Sequence, residues 1–330
     1  MKRLQIISIS VILMLLLAPM VFAGGKEGAD GSGEKVTIVE PIMGLNNPYV
    51  SAMAGYAEDW ADELGYEFLV LDGELDSIKN AQNMEEAIAM DPDIIILMTV
   101  DSAATSNGVK KAWDAGIPVI MEHMLALPED EQYTVAYTGP SSYIQGWLVA
   151  EMMYERVGDG AKIVEIQCVA GQETTYSRHN GFVDRAKEEG WDMEIIAFDN
   201  GDAQMDKSMA IMEDFLTRFG EDGFDAVYCC DDTMAIAAVT VLKENGIDLK
   251  TMPVIGVGGS RQGLASIKAG EMYGTIAQSP KISQESTKRL VQKILSEGIK
   301  PPQRLDPYHN YMDHPMVTID NVDEYLPGDW

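Results

Sequence analysis

The chain has 330 residues, a formal net charge of -29, 46% hydrophobic residues and three cysteines. Its length suits two domains of ordinary size, each able to bury a core. Nucleic acid is not expected as a partner, because phosphate binding requires clustered cations that so acidic a chain lacks. The odd number of cysteines excludes a disulfide framework. We expect Cys168, Cys229 and Cys230 to be small buried thiols, and a bridge from Cys168 to either of the others stays open.

The first 23 residues have the pattern of an export signal. Lys2 and Arg3 precede an apolar run over 4–18, and Val21-Phe22-Ala23 is the small-x-Ala ending that a signal peptidase prefers. The run is short for a membrane span of about 20 residues. We therefore expect residues 1–23 to be a signal peptide and 24–34 a flexible leader. The mature protein is then expected in the periplasm or another extracytoplasmic place.

Strands and helices are predicted to alternate along the rest of the chain. Apolar runs such as 94–98 are typical of parallel strands covered on both faces. The predicted strands are residues 35–40, 66–71, 93–98, 117–121, 133–137, 161–167, 193–198, 225–229, 252–257 and 272–277. The predicted helices are residues 49–64, 76–90, 102–115, 141–157, 176–189, 204–219, 231–245, 260–268 and 281–297.

This alternation predicts an α/β fold of two Rossmann-like lobes, each a parallel sheet of about five strands flanked by helices. The predicted N-terminal lobe is 35–138 plus 279–307, and the C-terminal lobe is 139–278 plus 308–330. The chain would cross between the lobes near 138–140, 278–280 and 307–309, forming a three-segment hinge. A ligand cleft is expected between the two sets of strand carboxyl ends.

The segment Leu-Asn-Asn-Pro-Tyr at 45–49 follows the first predicted strand, where such folds place ligands. A nucleotide-binding protein would carry a glycine-rich phosphate loop at this position. Two amides and an aromatic ring suit a sugar instead, because amides hydrogen-bond hydroxyls and a ring packs on an apolar sugar face. A simple turn before a helix is the alternative interpretation.

Six segments in the same order resemble the ribose-type sugar-binding proteins of bacterial ABC importers, over about residues 35 to 325. They are 45–49, 116–120, 170–171 with 177–182, 231–235, 274–278 and 320–323. The resemblance implies the type I periplasmic binding fold and capture of a small molecule by closure of two lobes.

The resemblance also implies a ligand site at seven positions, with no cofactor and no metal. These are Asn47, Tyr49, Glu122, His123, Arg178, Asp231 and Gln278. Each has a structural alternative. Arg178 could pair at the surface with an acid such as Asp184, the pair Glu122-His123 could be a solvated loop, Asp231 could cap a helix, and Gln278 could bridge a crossover.

Three positions depart from the family pattern, and they predict a roomier, less aromatic pocket for which ribose is not the best ligand. Val50 and Ala203 stand where aromatic rings are usual, and Gly258 stands where an aspartate grips sugar hydroxyls. Tyr176 and Trp147 are the candidates for replacing a lost ring.

The sequence thus predicts an exported, monomeric solute-binding protein that captures a sugar or polyol and delivers it to the membrane permease of an ABC importer. The alternative is a sensor of the same fold that presents a small molecule to a receptor. An enzyme is not expected, because no Gly-x-Ser-x-Gly segment and no nucleophile–base pattern occurs. His309 and His314 have a spacing that fits no helical pair of metal ligands.

Overall fold

The computed structural model describes residues 35–330, so the predicted export signal and the leader up to residue 34 lie outside the described residues. Two six-stranded sheets, both mainly parallel and flanked by helices, make up the described part. The predicted α/β class is confirmed. No helix within residues 35–330 is long and apolar enough to cross a bilayer.

Five of the six strands of the first sheet lie side by side in the order β2-β1-β3-β4-β5. These are β1 (Thr37–Ile42), β2 (Glu67–Asp72), β3 (Ile94–Leu97), β4 (Val119–Glu122) and β5 (Ala136–Gly139). The helices that belong with it are α1 (Pro48–Leu64), α2 (Ser77–Ala89) and α3 (Ser102–Asp114). This is a doubly wound order, in which β1 and β3 mark the switch point where ligands bind. The residues at 45–49 follow β1 and therefore face that point.

The second sheet repeats this plan in the order β7-β6-β8-β9-β10. Its strands are β6 (Ala161–Gln167), β7 (Met193–Asn200), β8 (Ala226–Cys229), β9 (Val254–Gly258) and β10 (Gly274–Ala277). Its helices are α4 (Ser142–Val157), α5 (Glu173–Glu189), α6 (Met205–Phe219), α7 (Asp232–Glu244) and α8 (Arg261–Lys268). Helix α9 (Pro280–Glu297) returns to the first sheet, where its Leu290, Val291 and Ile294 join the core around Ile38 and Trp60.

Two short strands near the end of the chain complete the sheets, and the sequence did not predict them. Strand β11 (His309–Tyr311) pairs parallel with β5, and β12 (Met316–Thr318) pairs antiparallel with β10. The last crossing therefore lies between Tyr311 and Met316, beyond the expected 307–309, and β11 belongs to the first sheet rather than the second. Strands of three residues are too short to show a period-2 pattern.

Cys168 and Cys230 form a disulfide with their Cα atoms 5.5 Å apart, while Cys229 is a free, buried thiol. The expectation of three free thiols is therefore wrong for two of them. The bridge follows from the sheet: Ile166 of β6 lies beside Cys229 of β8, which brings the residues just past both strand ends together. Burial raises the pKa of the Cys229 thiol well above its usual range, so it stays protonated.

Candidate ligand cleft

A cavity of about 290 Å³ lies at the carboxyl ends of the strands of both sheets. Its lining comes mainly from the loops after β1 and β4 in the first sheet and after β6, β7 and β8 in the second, together with Gln278 after β10 and with Trp330. Six of the seven predicted site residues line it. They are Asn47, Tyr49, His123, Arg178, Asp231 and Gln278.

Asn47 begins α1 and faces the cavity at the same time. Its side-chain Oδ1 accepts hydrogen bonds from the backbone N–H groups of Tyr49 at 2.9 Å and Val50 at 3.3 Å. Pro48 then occupies the first helical position, where a missing N–H is harmless. The cap fixes the orientation of the amide, and the Asn47 NH2 group is left to donate.

Glu122 does not line the cavity, although the resemblance placed it in the site. It is the last residue of β4, and its side chain is buried on the face covered by α9, because successive strand side chains point to opposite faces. Its carboxylate accepts hydrogen bonds from Gln284 Nε2 at 3.1 Å and Thr287 Oγ1 at 2.6 Å. Glu122 thus connects the end of β4 to α9 by side-chain hydrogen bonds. Burial, and then the charge of Glu122, raise the pKa of Glu40 well above its usual range.

His123, the next residue, turns into the cavity instead of lying in a solvated loop. Its φ of 63° is a left-handed conformation, uncommon for a residue with a side chain. The ring lies 5.0 Å from the Tyr49 ring, between centroids. Burial, reinforced by the charge of Arg178, lowers the pKa of His123 to about 3. The imidazole is therefore neutral at pH 7, and its buried Nδ1 has no hydrogen-bond partner among residues 35–330.

Arg178 is buried at the cavity and is not a surface ion-pairing residue. Its Nε and Nη2 donate to Gln145 Oε1 at 3.0 and 2.8 Å, and Nη1 donates to the carbonyl of Cys230 at 2.5 Å. Asp184, the proposed alternative partner, instead accepts from the Tyr143 hydroxyl at 3.1 Å. Both of these acceptors, Gln145 Oε1 and the Cys230 carbonyl, are neutral, so the charge of Arg178 is balanced only at longer range.

Close packing of α4 against α5 gives Arg178 its position. A Cβ added to Gly146 of α4 would lie 1.9 Å from the carbonyl oxygen of Arg178. A Cβ added to Gly181 of α5 would lie 2.0 Å from the carbonyl oxygen of Tyr143. Only glycine at both positions allows the two helix backbones to approach this closely. The approach also brings Gln145 beside Arg178.

Asp231 supplies a carboxylate to the cavity, which Asp202 also lines, and it caps α7 as well. Its Oδ1 accepts from the Met234 N–H at 2.8 Å. Burial, with a smaller contribution from the neighbouring Asp232, raises the pKa of Asp231 to about 6, while the helix N–H groups and Arg178 act in the opposite direction. The helix-cap interpretation of Asp231 is confirmed, and the same side chain lines the cavity.

Gln278 lies just after β10, where the chain leaves the second sheet for α9. Its Oε1 accepts from Gln145 Nε2 at 2.8 Å and from Arg178 Nη2 at 3.4 Å. Its backbone N–H donates to the carbonyl of Gly258 at 2.9 Å. The crossover residue is therefore joined directly to the cation of the site.

The two candidates for a replacement ring lie outside the cavity. Trp147 stacks under the guanidinium of Arg185, at 3.8 Å from its ring centroid, and Tyr176 is half exposed away from the cleft. The additional aromatic ring in the cavity lining is that of Trp330. Its centroid lies 5.3 Å from that of the Tyr49 ring, and the two rings are nearly perpendicular. Trp330 and Gln145 were not among the predicted site residues, since neither belongs to a matched segment.

His309 and His314 do not meet at a common site. His309 Nε2 lies 3.1 Å from Glu131, whereas His314 Nε2 accepts from the Ser141 N–H at 2.8 Å. No group of three or more potential metal ligands occurs within the residues that the structure describes.

A cavity lies at the strand carboxyl ends of two mainly parallel sheets, lined by amides, aromatic rings, the Arg178 cation and the carboxylates of Asp202 and Asp231. This arrangement defines a two-lobed small-molecule-binding protein. The family model described as periplasmic binding protein domain matches residues 42–299. The chain belongs to this family of periplasmic binding proteins.

Several individual proteins are similar to the chain over most of its length. The ribose import binding protein RbsB of Bacillus subtilis (strain 168) is 28% identical over 309 residues, covering 89% of this chain and 97% of the relative. The xylitol-binding protein of Mycolicibacterium smegmatis is 25% identical over 244 residues, covering 74% and 66%. An ABC transporter solute binding protein from Bacillus halodurans C-125 with bound myo-inositol superposes with a TM-score of 0.78 at 25% identity, covering 90% and 99%.

Proposed function

We propose that this chain is an exported solute-binding protein that captures a neutral, polyhydroxylated small molecule and delivers it to the permease of an ABC importer. The observation that carries the proposal is the polar set around the cavity. Arg178 is held by neutral acceptors, Asp231 supplies one carboxylate, and the amides of Asn47 and Gln278 both donate and accept. Such a mixture matches hydroxyl groups, each of which donates and accepts.

The same set argues against other ligand classes. An organic anion would meet one cation, Arg178, and two carboxylates, Asp202 and Asp231, so its charge would not be stabilised. A purely apolar ligand would leave carboxylate and amide groups unpaired in a closed cleft, at about 1–3 kcal/mol for each group. The cavity of about 290 Å³ suits a single sugar or cyclic polyol. Relatives named for ribose, xylitol and myo-inositol support this class.

The proposed site residues are Asn47, Tyr49, His123, Arg178, Asp231 and Gln278, with Glu122 acting from behind the cavity. Val50 and Ala203 stand where aromatic rings are usual in the family, and Gly258 stands where an aspartate is usual. These three differences favour a ligand other than ribose. Closure would occur by bending of the three crossing segments, the last of them between Tyr311 and Met316. We propose that the protein works as a monomer without catalysing a reaction.

Export and delivery are part of the proposal and have their own tests. Mass spectrometry of secreted material should find a mature chain beginning near Gly24, and intact residues 1–23 would contradict cleavage. Reconstituted uptake of D-allose or myo-inositol should require this protein together with a permease and ATPase. Ligand consumption without transport, detected as a chemical product, would contradict a binding role.

The ligand class is tested by thermal shift over D-ribose, D-allose, xylitol and myo-inositol, with citrate and adenosine as members of other classes. Ligand that binds only the folded protein raises its melting temperature by mass action. At least one neutral polyol or sugar should raise it, and citrate should not.

A further inference from the structure

A second cavity, of about 710 Å³, lies beside the ligand cleft. Two residues in the described part of the chain line both cavities, Gln278 and Trp330. The second cavity is bounded by the crossing residues 312–315, by Ser279 and by the segment 324–330, with acidic side chains at Asp313, Glu324 and Asp329. The indole of Trp330 thus stands between the cleft and a larger cavity of mixed polar and apolar lining.

Hydrogen bonds from several elements hold the segment that carries Trp330. The Trp330 carbonyl accepts from the Arg261 N–H at 2.8 Å, and the Gly328 carbonyl accepts from Arg261 Nε at 3.2 Å. The Asp329 carboxylate accepts from the Ser279 hydroxyl, and its carbonyl accepts from the Tyr56 hydroxyl of α1 at 3.4 Å. The segment is therefore anchored to α8, to the second crossing and to the first sheet's α1.

Gly258 leaves the room that the indole fills. A Cβ added to Gly258 would lie 3.0 Å from Cζ2 of Trp330, closer than side chains normally approach. The backbone at Gly258 has a φ of 148°, which residues with side chains rarely adopt. Gly258 itself lines the second cavity, and the indole occupies the space beside it that a side chain at 258 would need.

The ring offers the cleft a surface that suits a sugar. Its edge-on packing on Tyr49, at 5.3 Å between centroids, makes two adjoining aromatic walls, and aromatic rings pack on the apolar faces of sugars. The buried Nε1 of Trp330 has no hydrogen-bond partner among residues 35–330, so this N–H donor lacks a protein acceptor.

We propose that Trp330 is a specificity-determining residue of the cleft: its indole packs against the bound ligand and closes the cleft against the second cavity, which restricts the ligand to a single ring. The inference rests on the proposed function, because it presumes a polyhydroxylated ligand. In this proposal Trp330 supplies the ligand contact that the smaller residues Val50, Ala203 and Gly258 do not provide. Removal of the indole would join the two cavities and admit a second sugar unit.

The ligand test uses calorimetry with D-allose and myo-inositol as single-ring probes and with maltose and cellobiose as two-ring probes. Trp330→Ala should lower the affinity for the best single-ring probe by about tenfold, which corresponds to the loss of an aromatic contact worth about 1.4 kcal/mol. It should also bind a two-ring probe at least about tenfold more tightly than the unsubstituted protein does. Trp330→Phe keeps a ring and should lose less affinity than Trp330→Ala. Trp191→Ala, which removes a ring stacked on Tyr154 at 4.2 Å, is the matched control and should leave both affinities unchanged.

A second test needs no ligand. Gly258→Ala should lower the melting temperature by less in a Trp330→Ala background than in the unsubstituted protein, because backbone strain is common to both and only the contact with the indole is relieved. Equal losses in the two backgrounds would overturn the placement of the ring. Unchanged single-ring affinity in Trp330→Ala, or no gain of two-ring binding, would overturn the specificity role while the proposed function stands. If the unsubstituted protein binds no probe, both proposals fail.

Discussion

Arg178 donates two hydrogen bonds to one oxygen of Gln145, from Nε at 3.0 Å and from Nη2 at 2.8 Å. Gln145 lies on α4 and Arg178 on α5, so the guanidinium plane is fixed by a neutral side chain of the neighbouring helix. Gln145 also donates to Gln278 at 2.8 Å. One amide therefore orients both the cation of the site and the crossover residue.

Substitution of Arg178 should abolish most ligand affinity. Arg178→Ala removes a planar set of donors from a water-excluding cleft and should weaken binding by about 2 kcal/mol or more. Isothermal titration calorimetry with the best probe measures the loss. Arg185→Ala, on the same helix but packed over Trp147, is the control and should bind normally. Equal affinities for the two variants would remove Arg178 from the site.

Ligand affinity should fall as the pH drops through about 6. The pKa of Asp231 is raised to about 6 by burial, so its carboxylate loses charge and acceptor strength between pH 7 and pH 5. His123, with its pKa lowered to about 3, does not change charge in that window. Of the charged neighbours of Asp231, Asp232 raises its pKa and Arg178 lowers it. Asp231→Asn should bind more weakly at pH 7 and show a flat profile. A pH-dependent Asp231→Asn profile matching the unsubstituted protein would refute the assignment.

The same raised pKa has the opposite effect on the stability of the ligand-free protein. The folded state takes up a proton at Asp231 near pH 6, whereas the unfolded chain does so only near the ordinary value of 3.8. Between these values the folded state binds more protons, so this residue's contribution to stability grows as the pH falls. Urea denaturation of Asp231→Asn should lack that contribution.

Glu122 should matter more for stability than for direct ligand contact. Glu122→Ala leaves the buried Nε2 donor of Gln284 without an acceptor and leaves the Thr287 hydroxyl only the Ser283 carbonyl at 3.2 Å, which should lower the free energy of unfolding by about 1–3 kcal/mol. Glu122→Gln keeps one acceptor oxygen and should lose less. Chemical denaturation measures both. A Glu122→Ala variant of unchanged stability but lost affinity would restore Glu122 to the site.

The close approach of α4 and α5 should make Gly146 intolerant of a side chain. A Cβ would lie 1.9 Å from a backbone oxygen that cannot move independently, so Gly146→Ala should destabilise the protein by about 3 kcal/mol. Gly55 is the control, since a Cβ there meets no atom within 4 Å and Ala in a helix interior is better than Gly by about 0.5–1 kcal/mol. Urea denaturation should show a lower free energy of unfolding for Gly146→Ala and a higher one for Gly55→Ala. A stabilised Gly146→Ala would show that the helices can move apart.

The strands and helices were predictable because their patterns are long and repeated. The predicted helix 49–64 begins one residue later than α1, and the predicted strand 161–167 matches β6. The apolar run at 94–98 belongs to a strand covered on both faces, and such runs are difficult to mistake. By contrast β11 and β12 form only because the two sheets already offer free edges, which no local pattern reveals.

The cavity lining was predictable only where a residue follows a strand end within a matched segment. Arg178 and Asp231 were found in this way. Glu122 was misplaced because the sequence does not show which face of β4 its last residue takes. Trp330 lies far along the chain from every other residue of the lining, and only the tertiary packing of residues 324–330 onto Arg261 and Ser279 brings it to the cleft.

The central claim is that the cleft binds a neutral, polyhydroxylated ligand. Competition calorimetry tests it most directly, with D-ribose, D-allose, xylitol and myo-inositol set against citrate and adenosine on the purified mature chain. We expect a neutral sugar or cyclic polyol to bind most tightly and D-ribose not to be the best of them. Citrate or adenosine displacing every sugar and polyol would contradict the account.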